Sequence, residues 1–269
     1  MRSYVGRILV VIAMSILSAC SREPSGDSVA PQGQWISLFN GKDLDGWVVK
    51  IRGRALGDDP MRTFRVVDGA LRVDYSDYRD FGTSNGMLIY NRPLARYWLR
   101  AEYRFIGEQP AGAPAWAFRD SGIQLHGQTP DSLELNQEFP VGLEINLIGG
   151  KLLGRARPTG NVCTSGVTIE LAGSRMKEKC SSTSDATIRL PDQWVRIEAR
   201  IDDADIEHWV NGRSAVKYAN PVLDPADPLA TVLLSNGQNP SLKSGYLSVQ
   251  SNGAPIEFRK IEILPISAL

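Results

Sequence analysis

Histidine is nearly absent from this 269-residue chain, with only His126 and His208. Proton transfer or metal binding by imidazole therefore has two places to occur. Neither sign of charge is in excess, at 30 basic and 30 acidic residues. No basic stripe is visible, which argues against a nucleic-acid partner. Gly-x-Ser-x-Gly, P-loop and dinucleotide fingerprints are all missing, which disfavours esterase, kinase and Rossmann chemistry. Beyond the N-terminus no segment sustains a period of 3.6 over three turns, and no internal repeat is visible.

Cysteine is scarce too, at three, and the first has a special setting. Arg2 and Arg7 precede an apolar run, Ile8–Leu17, shorter than the roughly 20 residues a permanent spanning helix needs. Small residues follow, which is the pattern of a signal peptide. Leu17-Ser18-Ala19-Cys20 resembles the lipobox of bacterial lipoproteins. That resemblance implies cleavage before Cys20, lipidation of its thiol and anchoring of an exported chain to a membrane. Ser21 in place of aspartate favours the outer membrane, facing the periplasm or the cell surface. The other reading is an ordinary secretory signal. Residues 1–19 are thus expected to be removed and residues 20–33, rich in Ser, Pro, Gly and Asp, to form a flexible tether. Residues 34–269 are left to fold. Cys163 and Cys180 make an even remainder in an exported chain, which reads as a disulfide. It would close a loop of about 18 residues and stabilise by roughly 3 kcal/mol. The alternative is a metal pair, without a Cys or His neighbour at zinc spacing.

Strand signals dominate from Trp35 onward. Residues 64–73 contain two short strands around Asp68-Gly69, a hairpin turn signal. Alternation marks 97–105, 121–126, 143–147, 194–201, 205–210, 215–218, 246–250 and 256–263, with a turn at Asn211-Gly212. Many short alternating strands predict an all-β sandwich. Residues 148–192 are poorly patterned and read as a long excursion pinned by the cysteine pair.

Alternation also sorts faces. Ile123 and Leu125 point to the core, so Gln124 and His126 point away. Leu143, Ile145 and Leu147 point in, leaving Glu144 and Asn146 out. Leu247 and Val249 leave Tyr246, Ser248 and Gln250 out. If these strands share a sheet, its outer face carries planar amides, a carboxylate, an imidazole and an aromatic ring. Such groups bind sugar hydroxyls in pairs, and Glu with His can move protons. A plainly solvated strand face is the bland alternative. His208, on a face with Ile206 and Val210, reads as a structural histidine. Trp35, Trp47, Trp98, Trp194 and Trp209 read as packing residues.

At this point a family resemblance emerges. Trp35-Ile-Ser-Leu-Phe-Asn-Gly-Lys-Asp-Leu-Asp-Gly-Trp47 resembles the opening motif of the 3-keto-disaccharide hydrolase domain. Asp120-Ser-Gly-Ile-Gln-Leu-His-Gly127 resembles its central motif, which usually begins with Asn and often has Arg at the position of His126. Val141-Gly-Leu-Glu-Ile-Asn146 resembles its Gly-Tyr-Glu-x-Gln segment. His208–Gly212, Gly245–Gln250 and Ile256–Ile261 resemble the closing strands, in the right order. The resemblance implies a concanavalin A-like jelly-roll β-sandwich with a sugar-binding sheet. It implies cleavage of 3-keto-glycosides by elimination and hydration, which needs a base, an acid and a group that stabilises an enolate. By the same resemblance, Glu144 and His126 are the proton-transfer residues and the pair that could hold a divalent metal. Gln124, Asn146, Tyr246, Gln250 and Arg259 would contact substrate, and a sugar 3-dehydrogenase would be the functional partner. A non-catalytic carbohydrate-binding lipoprotein and a structural envelope module are the competing readings.

Overall fold

The structure is a computed structural model. It describes residues 24, 26–151, 156–181, 186–188, 190 and 192–267. The signal segment and Cys20 lie outside the described residues, among which no helix is long and apolar enough to cross a membrane.

The strands run in chain order as β1 (Ile36–Ser37), β2 (Trp47–Ile51), β3 (Phe64–Val67), β4 (Ala70–Val73), β5 (Gly86–Tyr90), β6 (Tyr97–Phe105), β7 (Asp120–Gly127), β8 (Gly142–Ile148) and β9 (Arg157–Pro158). They continue as β10 (Val162–Ser165), β11 (Val167–Leu171), β12 (Ser174–Arg175), β13 (Thr187–Ile188), β14 (Val195–Asp202), β15 (Asp205–Val210), β16 (Arg213–Leu223), β17 (Tyr246–Ser251) and β18 (Ile256–Pro265). One helix, α1 (Pro228–Ser235), lies between β16 and β17.

Two antiparallel sheets form the sandwich. The larger has the order β12-β11-β16-β15-β14-β6-β18-β4-β3, with β1 paired to β18. The smaller has the order β10-β8-β7-β17-β5-β2. Alternation packs the inward faces together: Ile123, Leu125, Leu143, Ile145, Leu147 and Val249 of the smaller sheet meet Leu99, Ala101, Ile197, Ala199 and Ile261 of the larger, all fully buried. The hairpin turns sit where they were expected. Asp68 and Gly69 both have positive φ, as do Asn211 and Gly212, the backbone that a two-residue hairpin turn demands.

Three segments depart from the sequence reading. The unpatterned stretch 148–192 contains β9 to β13, and β10 and β11 extend the two sheets. Their shortness, from two to five residues, leaves little alternation to read. Helix α1 has eight residues, too few to show a period; Asp227 caps it by accepting from Ala230 N, and Pro228 opens it. The third is the stretch expected to be a free tether. Gly26–Ala30 lies on the outer face of the larger sheet. There the fully buried Glu198 carboxylate accepts hydrogen bonds from Ser28 Oγ, Val29 N (3.1 Å) and Ala30 N (3.4 Å). Arg196 donates to Gly26 O at 2.6 Å.

The expected disulfide is present between Cys163 and Cys180. It ties β10 to the segment that follows β12.

Candidate active site

Strands β7, β8 and β17 stand side by side in the smaller sheet, with Gln124 opposite Glu144 and Gly122 opposite Asn146. Their outward side chains line a cavity of about 360 Å³. Gln124, Glu144, Asn146 and Gln250, four of the residues expected from sequence, meet there. The polar face of these strands is therefore the wall of a cavity and not a flat solvated surface.

Gly122 has a steric reason. A Cβ at this position would lie 2.5 Å from Glu144 Oε1, so the missing side chain is what lets the glutamate lean across β7. That lean brings it toward Asp120, at the start of the same strand. Asn146 Nδ2 bridges the two acids, donating to Asp120 Oδ1 at 3.2 Å and more weakly to Glu144 Oε1 at 3.5 Å. Gln124 Nε2 reaches Glu144 Oε2 at 3.4 Å.

Burial raises the pKa of Glu144; the Gln250 and Asn146 amides and the charge of Lys179 oppose the shift only in part. Asp120 is pushed up to about 7, first by burial and then by the negative charge of Glu144, against Asn146 and Arg157. Both carboxyls are thus pushed up, and Asp120, which also feels the charge of Glu144, is the one carried to about 7, the kind of tuning that general acid–base chemistry uses. Around them, Gln124 Oε1 and Asn252 Oδ1 are buried without hydrogen-bond partners. Unpaired buried amides are costly, and in a cavity they are the groups a polar ligand satisfies.

The cavity rim adds what the sequence reading passed over. Trp116, on the 3-10 turn Ala115–Ala117, is 54% exposed and lines the cavity with Phe139. The other five tryptophans pack: Trp47 Nε1 donates to Leu38 O, Trp98 stacks on Trp209, and Trp35 and Trp194 lie under Arg100, Arg104 and Arg259. On β2, at the edge of the same sheet, the buried Lys50 ammonium donates to the carbonyls of Ile51, Arg54 and Leu135 and so ties the loop after β2 to the loop after β7. Asp120 shares the parity of Gln124 and is the first residue of β7, one position before the alternation at 121–126 begins.

Three expected site residues lie elsewhere. His126 takes a left-handed backbone (φ 51°), and the β17–β7 register slips between Tyr246 and Ser248. Alternation is broken there, and His126 and Tyr246 line a separate cavity of about 180 Å³ together with Leu223, Leu233 and Leu242. Burial pushes the His126 imidazole down to about 4, so it is neutral at pH 7. Arg259 lies on the outer face of the larger sheet, donating to Glu102 Oε2 at 2.6 Å and stacking on Trp194. His208 is structural, as expected, with Nδ1 against Gly160 O and Nε2 against Tyr218 OH. A metal shared by Glu144 and His126 does not fit, since the two open to different cavities. Among the described residues no three His, Cys, Asp or Glu side chains converge on one point.

The fold is that of the concanavalin-like jelly rolls, and the family match marks a carbohydrate-acting domain. The chain belongs to the 3-keto-alpha-glucoside-1,2-lyase-like domain family, which it matches over residues 34–264. Among solved structures it resembles a proposed glycosyl hydrolase from Parabacteroides distasonis ATCC 8503, at 17% identity, TM-score 0.51, and 87% and 94% coverage of the two chains. It also resembles the exoplasmic/lumenal domain of VIP36 in its Ca2+/Man3GlcNAc-bound form, at 10% identity, TM-score 0.53, and 88% and 92% coverage. At such identities the likeness is one of fold. No curated protein matches.

Proposed function

We propose that this domain cleaves 3-keto-glycosides by elimination followed by hydration. The observation that carries the reading is the pair of partly buried carboxyls, Asp120 and Glu144, bridged by Asn146 in a cavity lined by unpaired amides. A keto group at carbon 3 acidifies the hydrogen on carbon 2. Glu144, as carboxylate, removes that proton and the electron pair forms the enolate. The carbon 1–oxygen bond then breaks, and the leaving oxygen takes the proton of Asp120. The product is an enone, which adds water at carbon 1 and regains a proton at carbon 2. The amide of Gln250 and the ammonium of Lys179 face the developing negative oxygen. The paired spacing of an ordinary glycosidase is not required, because no oxocarbenium step is involved. Supply of the substrate requires an enzyme that oxidises the sugar at carbon 3, a sugar 3-dehydrogenase. Export and lipid anchoring through Cys20 complete the proposal.

The test is release of free sugar from 3-keto-glucosides by the full-length protein. Glu144→Gln is expected to lower turnover by about 100-fold or more while leaving the fold intact. Sugar binding without release by the wild-type protein would sink the enzyme and leave a carbohydrate-binding domain.

A further inference from the structure

Lys179 is the only basic side chain lining the site cavity among the described residues. It belongs to no regular strand. Its backbone is held by Thr164 N, which donates to Lys179 O at 2.8 Å, and its Nζ lies 5.1 Å from the centre of the Phe139 ring. The next residue is Cys180, whose disulfide partner Cys163 stands directly opposite Glu144 in the β8–β10 ladder. Both half-cystines line the same cavity. The cross-link therefore joins the neighbour of the ammonium to the neighbour of the carboxylate. A disulfide that served stability alone could close its loop anywhere; this one closes it at the reacting groups.

We propose that the Cys163–Cys180 disulfide is a positioning element of the active site, holding the Lys179 ammonium in the cavity that Glu144 lines so that it stabilises the enolate oxygen. The inference rests on the elimination reading above. In that step Lys179 forms and breaks no bond; it faces a negative charge that exists only after Glu144 has taken the proton. The disulfide acts through Lys179, so the two should fail as one unit.

A double-mutant cycle on the full-length protein tests this. Lys179→Met is expected to lower kcat about 10- to 100-fold with little change in KM, and Lys179→Arg to recover part of it. Removing the disulfide by Cys163→Ala with Cys180→Ala should cause a similar loss, and Lys179→Met added to it no further loss. A single glycine inserted between Lys179 and Cys180 keeps the cross-link but moves the ammonium, and should match Lys179→Met. Losses that multiply, or a disulfide-free protein with a lower Tm and full kcat, would overturn the proposal. A second readout does not depend on turnover: the Glu144 titration midpoint, followed by carbon-13 NMR. It should rise in Lys179→Met and in the disulfide-free protein, and no further in their combination. If the wild-type protein cleaves no 3-keto-glycoside, the elimination reading falls. The NMR cycle then decides the positioning alone, and an unchanged midpoint without the disulfide rejects it.

Discussion

Asp120 is where activity and stability pull against each other. Its carboxyl, raised from an ordinary 3.8 to about 7, holds a proton in the folded protein that the unfolded chain releases. Folding is therefore favoured by this group below about pH 4, and that contribution is lost as the pH rises through 7. Asp120→Asn is expected to be more stable than the wild type at pH 7 and above, with the gain vanishing near pH 4; thermal unfolding across that range checks it. The same substitution should lower kcat by about 100-fold and remove the alkaline limb near pH 7 from the rate profile. A variant that kept both would take Asp120 out of the acid role. Sequence alternation exposed Gln124, Glu144, Asn146 and Gln250 because a strand with one buried face repeats every two residues. It misplaced His126 because a left-handed residue and a register slip reset that count within two positions. Arg259 was assigned by family resemblance, and a motif match does not say which of two outer faces a side chain occupies; it lies on the larger sheet, against Glu102 and Trp194.

At the scale of elements, the site is a sheet face completed by connections. The strands supply acids and amides at fixed spacing, while the 3-10 turn carrying Trp116 and the loop carrying Phe139 supply aromatic surface at the rim. An exposed indole there can stack on a sugar face. Trp116→Ala is expected to raise KM for a disaccharide substrate several-fold and leave kcat within about twofold, a loss of uniform binding. A drop in kcat at unchanged KM would instead place Trp116 in the chemistry. The long strands were legible because each spans several alternations. The pieces between Ile148 and Trp194 were not, since a two-residue strand such as β9 or β13 has no period, and its place is set by the partner it meets. Helix α1 escaped notice for the matching reason, being two turns long with one fully buried residue, Ala230.

For the whole molecule, both histidines are neutral and buried, each pushed down to about 4. The unfolded chain would protonate them near 6.5, so their contribution to stability is complete above that pH and is lost as the pH falls toward 4. Asp120 works in the opposite direction over much of the same range, which flattens the wild-type profile. The acid loss should therefore be steeper in Asp120→Asn than in the wild type when Tm is followed from pH 7 to pH 4; parallel curves would contradict the assigned protonation states. A larger consequence comes from the short strip Gly26–Ala30 against Glu198. It runs across the back of the sandwich, on the side opposite the cavity. Residues 21–25 alone separate it from Cys20, a reach of at most about 20 Å when fully stretched. An acyl chain on Cys20 would make the molecule lie on its back against the bilayer, mouth outward. In vesicles of brominated lipid, a dye at Arg213→Cys should then be quenched and one at Trp116→Cys should not; equal quenching would mean that the strip does not hold. Were Cys20 acylated, a domain held in this attitude would meet carbohydrate arriving from the open side and not the glycans of the membrane that carries it.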